Sequence, residues 1–112
     1  MSKQISIYFE EDNYSNLGTN IKLNDDIKSI TGLCKKLLRE EYINKDRPTV
    51  FSKKRRVLDD DKNYQKYNLR IDKKLYKQLA YKMNEQKDKY INNLVIQLLE
   101  QNGYFNDPTI EN

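Results

Sequence analysis

The apolar pattern of this chain occurs twice, and that repetition limits what it can fold into more than any other feature. Set 62 residues apart, Ile5, Ile7 and Phe9 coincide with Tyr67, Leu69 and Ile71, and Tyr14, Leu17 and Ile21 coincide with Tyr76, Leu79 and Met83. One residue is then dropped and the spacing becomes 61, so that Ile30, Leu33, Cys34, Leu37 and Leu38 fall on Ile91, Leu94, Val95, Leu98 and Leu99. The period changes along each copy. Ile5 to Phe9 and Tyr67 to Ile71 alternate apolar with polar, as half-buried strands do. Leu75, Leu79 and Met83 recur every fourth residue, the stripe of an amphipathic helix. Their counterparts Tyr14, Leu17 and Ile21 are interrupted by Gly18, which costs about 1 kcal/mol against Ala in a helix. The last group in each copy has the spacing of a buried helix face. Asp72 and Ser29 stand where N-caps are needed; Tyr90, the counterpart of Ser29, is a poor cap, which leaves Asp88 for that helix. The order read is strand, helix, helix, twice.

A unit of about 40 residues seldom folds alone, so the two copies are expected to share one core. The boundaries read from the pattern are 1–43 for the first copy, 44–65 for a charged linker, 66–105 for the second copy and 106–112 for a flexible tail. The linker holds Arg47-Pro48, the basic run Lys53, Lys54, Arg55 and Arg56, and the acidic run Asp59, Asp60 and Asp61. The acidic run reads as a solubilising turn before it reads as a metal site.

Charge and residue types narrow the function. The formal net charge is +4 with a pI near 9.0, which favours a polyanionic partner. One cysteine, Cys34, and no histidine exclude a disulfide within the chain and speak against a zinc site or a His-based catalytic centre. Cys34 lies in an apolar helix face and is expected to be a small buried hydrophobe. No apolar run approaches the roughly 20 residues of a membrane span, and the first residues lack the apolar stretch of a signal peptide. We expect a cytoplasmic chain that is not an enzyme, carries no cofactor and has no membrane partner.

Tyr67-Asn68-Leu69-Arg70-Ile71-Asp72-Lys73-Lys74-Leu75 resembles the strand and first-helix start of the ribbon-helix-helix superfamily, the Arc and MetJ type of DNA-binding protein. Lys28-Ser29-Ile30-Thr31-Gly32-Leu33-Cys34 and Lys89-Tyr90-Ile91-Asn92-Asn93-Leu94-Val95 resemble the start of its second helix. The likeness covers about 80 residues, linker and tail excluded. Two such units in one chain are similar to the TraY-type transfer proteins of conjugative plasmids. The fold implied is mainly α with a short β-ribbon, two ribbon-helix-helix repeats forming one intramolecular pseudo-dimer.

The resemblance also implies a partner and a site. One strand from each repeat pairs antiparallel, and the ribbon enters the major groove of double-stranded DNA. Its outward residues are Gln4, Ser6 and Tyr8 on one strand and Lys66, Asn68 and Arg70 on the other. Gln and Asn can pair bidentately with adenine, Arg and Lys with guanine. Tyr8 departs from the polar pattern and could meet a thymine methyl group, a sugar or a phosphate. Second-helix N-termini would clamp phosphates through their backbone amides, with Lys28, Ser29 and Thr31 at one clamp and Lys89, Tyr90 and Asn92 at the other. Lys73 and the basic run Lys53 to Arg56 are further phosphate candidates. The implied role is a plasmid or mobile-element accessory factor that binds an origin of transfer, a transcriptional repressor, or both. Other copies along the DNA and a relaxase or other protein are candidate partners. An antitoxin-like or partition adaptor that grips a protein stays open beside it, and the solvated face of a sheet is the alternative reading of the outward residues.

Overall fold

The structure, a computed structural model, describes residues 2–44, 58–83 and 88–108, without the side chains of 88–90. The element order is strand β1 (Ser2–Glu10), helices α1 (Glu11–Lys22) and α2 (Ile30–Leu37), a π-helical continuation of α2 (Leu38–Ile43), strand β2 (Tyr64–Asp72), and helices α3 (Lys73–Met83) and α4 (Asp88–Gln101). Among the described residues, four α-helices and one two-stranded antiparallel sheet make a small mixed α/β domain. β2 begins two residues before the strand boundary read from the pattern. The basic run Lys53, Lys54, Arg55 and Arg56 lies outside the described residues, as do Arg47 and Pro48.

The sheet is closed within the chain. β1 pairs with β2 in a register that sets Ile5 opposite Leu69, Ser6 opposite Asn68 and Ile7 opposite Tyr67. Because successive side chains alternate faces, the odd-numbered residues Ile5, Ile7, Phe9, Leu69 and Ile71 all turn inward and are fully buried. The helices cover that face with Leu17 and Ile21, with Leu33, Cys34, Leu37 and Leu38, with Leu75, Leu79 and Met83, and with Leu94, Val95, Leu98 and Leu99. All of these belong to one cluster, so neither half has a core of its own. Removing a side chain such as Leu69 from it would cost about 2–5 kcal/mol.

Local chemistry fixes where the helices begin and end. Ser29 Oγ accepts the Gly32 amide at 3.0 Å and caps α2, and Asp72 Oδ2 accepts the Leu75 amide at 3.2 Å and caps α3. Asp88, the counterpart of Ile27, is already helical, whereas α2 starts at Ile30. Asp88 therefore lies within its helix and is not a cap ahead of it. At the far end α4 closes with Gly103 at φ 78°, a left-handed position that glycine occupies without cost. Tyr104 and Gly103 then return their amides to the Leu99 and Glu100 carbonyls at 3.0 and 3.1 Å. Lys82 of α3 donates to the Tyr42 and Ile43 carbonyls, closing the π-helical segment.

The segment after α4 is held where the pattern suggested fraying. Asn16 donates to the Phe105 carbonyl at 3.1 Å, and Asn20 to the Tyr104 and Asn106 carbonyls at 2.8 and 2.9 Å. Phe105 meets Phe9 edge-on, with ring centroids 6.1 Å apart. The expected tail thus starts in order: Asn106 is tied to α1, and residues 109–112 lie outside the described residues.

Candidate nucleic-acid interface

The even-numbered strand residues form the other face of the ribbon. Three cross-strand pairs occupy its middle: Gln4 with Arg70, Ser6 with Asn68, and Tyr8 with Lys66. These are the six residues expected to point outward. Gln4, Lys66, Asn68 and Arg70 are exposed, while Ser6 and Tyr8 are half-buried. Opposed residues in such a ribbon stand about 4.5–5.5 Å apart and successive ranks about 6.6–6.8 Å apart. The middle of the face is therefore a small grid of hydrogen-bonding groups with two cations and no carboxylate.

The same alternation puts two carboxylates, Glu10 and Asp72, at the ends of this face, and both are neutralised. Lys62 Nζ lies 2.8 Å from Glu10 Oε1, and Arg39 Nη2 lies 3.1 Å from Asp72 Oδ1. The hydrogen bond to Glu10, followed by its charge, raises the Lys62 ammonium above its ordinary value. The Asp72 carboxyl is lowered, first by the Leu75 amide it caps and then, more weakly, by Arg39. A polyanion approaching the ribbon would otherwise meet two like charges at its rim. Lys62 and Arg39 were not singled out as site residues; the period-2 alternation that found Gln4 and Arg70 also places Glu10 and Asp72 on that face and could have pointed to their partners.

The two second helices pack against the two strands, α4 on β1 and α2 on β2. Asn92 of α4 is buried, 8% exposed, and its Oδ1 accepts the Tyr8 amide at 3.1 Å. Thr31 of α2 is half-buried and shares a hydrogen bond with the Tyr67 hydroxyl at 2.5 Å. Both had been expected at phosphate. The structure instead commits the Asn92 side chain to the edge of β1 and engages Thr31 against Tyr67, so these residues position helices against the ribbon. Lys28 and Ser29 are exposed at the start of α2, and Lys73 is exposed at the first position of α3. Lys89 and Tyr90 lie in α4, and their side chains are outside what the structure describes.

Other expected readings fall elsewhere. Cys34 is 2% exposed, and burial pushes its thiol up to about 12, so at neutral pH it stays protonated in the core. Asp59 accepts the Asp61 amide on its side chain and the Lys62 amide on its carbonyl, both at 3.1 Å, so the acidic run forms a turn. Among the described residues no helix is long and apolar enough to cross a membrane. Set against known protein families, curated proteins and solved structures, the chain matches none.

Proposed function

We propose that this chain is a sequence-specific double-stranded DNA-binding protein that lays its β1–β2 ribbon in the major groove. The observation that carries the reading is the set of three outward pairs, Gln4–Arg70, Ser6–Asn68 and Tyr8–Lys66, on one face free of carboxylate along its middle. A two-stranded ribbon fits a groove about 12 Å wide, and Arg, Asn, Gln and Lys are the side chains that pair with purine edges there. Two features support a tandem ribbon-helix-helix arrangement acting as a pseudo-dimer. Strand–helix–helix occurs twice in order. Ser6 also sits opposite Asn68, the residue 62 positions on, which is its own counterpart in the repeat. An approximate two-fold axis would pass between them.

In this reading the starts of α2 and α4 flank the ribbon and hold the phosphates on either side of the groove, with Lys28, Ser29 and Lys73 as nearby groups. A role as a plasmid or mobile-element accessory factor or repressor rests on the resemblance to tandem transfer proteins. The test is equilibrium binding to duplex fragments from the DNA around the chain's own coding region, against random duplexes of equal length, between about 50 and 200 mM salt. The expected result is one fragment bound tightly at a salt concentration where random duplex no longer binds. Equal affinity for every duplex at all salt concentrations would refute base reading.

A further inference from the structure

We infer that the ribbon recognises a duplex that is not self-complementary, and that it does so in one orientation only. The inference rests on the proposed function and specifies the class of DNA that this site takes. A two-fold axis between Ser6 and Asn68 relates three pairs of positions: Ser6 to Asn68, Gln4 to Lys66, and Tyr8 to Arg70. In a symmetric protein these would be identical residues facing identical half-sites. Here every pair differs in chemistry. An amide stands where the other strand has an ammonium, a phenol where it has a guanidinium, and a hydroxyl where it has an amide.

The register turns these differences into polarity along the DNA. At one end Arg70 faces Gln4, so a guanidinium fork and a side-chain amide offer two bidentate groups, suited to guanine and adenine. At the other end Lys66 faces Tyr8, a point charge beside an aromatic ring. The Tyr8 backbone is held there by Asn92, whereas the counterpart of Asn92, Thr31, is engaged with the Tyr67 hydroxyl. The flanks differ as well, because Asp88 is already helical, whereas its counterpart Ile27 lies three residues ahead of the start of α2 at Ile30. Three ranks of side chains span about 13 Å, or about four base-pair steps. A palindromic sequence of that length would match one end of the ribbon and mismatch the other.

Selection of the full chain against a pool of random duplexes tests this. The expected motif is asymmetric, and palindromes built from either half of it bind at least about tenfold more weakly. The triple variant Gln4→Lys/Ser6→Asn/Tyr8→Arg gives both strands the same outward set, and its selected motif is expected to become palindromic. Orientation is read on the otherwise unaltered chain through Ser2→Cys, an exposed position at the Asp72 end of the ribbon, carrying a DNA-cleaving iron chelate. The buried Cys34 leaves the introduced thiol as the reactive one. Cleavage on one flank of the motif supports the inference, even if the triple variant fails to fold. A palindromic motif for the unaltered chain, or equal cleavage on both flanks, overturns it while base reading stands. Enrichment of no motif refutes base reading itself, and this inference with it.

Discussion

Two residues of this chain do something their sequence position does not announce. Asn92 looks like a polar residue in the first turns of a helix, yet it is buried and accepts the Tyr8 amide at 3.1 Å. Replacing it by Ala leaves that amide without its acceptor, which costs about 1–3 kcal/mol of stability. Urea unfolding of Asn92→Ala should show the loss; an unchanged midpoint would mean that water replaces the side chain freely. Gly18 is the opposite case. It lies within α1, and a Cβ added there would meet nothing within 4 Å. Gly18→Ala should therefore stabilise the fold by about 1 kcal/mol, through helix propensity and a less flexible unfolded chain. A lowered melting temperature would show that α1 tolerates no side chain at that point.

At the level of elements, the junction between β2 and α3 carries a pH signature. Asp72 caps α3 and pairs with Arg39, and its carboxyl is lowered below the ordinary 3.8. A lowered folded value means the contribution is fully present above the unfolded value and is lost as pH falls through the folded one. Asp72→Asn keeps a capping oxygen without the titration. The unaltered chain should be the more stable of the two near neutral pH, and the gap should close as pH falls below about 3.8. A gap independent of pH would place the stabilisation elsewhere.

The elements also show how far the sequence could be read. The strands, their inward and outward faces and the caps Asp72 and Ser29 follow from period and side-chain chemistry, because each depends on neighbours within a few residues. α1 formed despite Gly18 because Leu17 and Ile21 bury against the shared core, and packing outweighs propensity. The π-helical turn Leu38–Ile43 and the Lys82 contacts that close it depend on a helix about 40 residues away in sequence. The docking of Tyr104 to Asn106 on Asn16 and Asn20 depends on residues more than 80 positions away. No local pattern encodes such contacts. The outward face was legible as a set of residues, but the shielding of Glu10 by Lys62 and of Asp72 by Arg39 was not, since it needs the tertiary fold.

For the whole molecule, one chain supplies both strands of its own ribbon and both halves of its core. Either half alone would expose a strand edge and an apolar face, and a tethered partner sits at an effective concentration in the millimolar range. Sedimentation at low micromolar concentration should therefore find a folded monomer of 13.5 kDa. A dimer that unfolds on dilution would mean that two chains exchange halves.

Base reading by the exposed face of the ribbon is decided by measuring, at one fixed salt concentration, the affinities of the unaltered chain, Asn68→Ala and Arg70→Ala for a selected duplex and for a scrambled one. Each substitution should cost about 1–3 kcal/mol on the selected duplex and much less on the scrambled one, so that the specificity ratio collapses. Losses of equal size on both duplexes, or none on either, would contradict base reading.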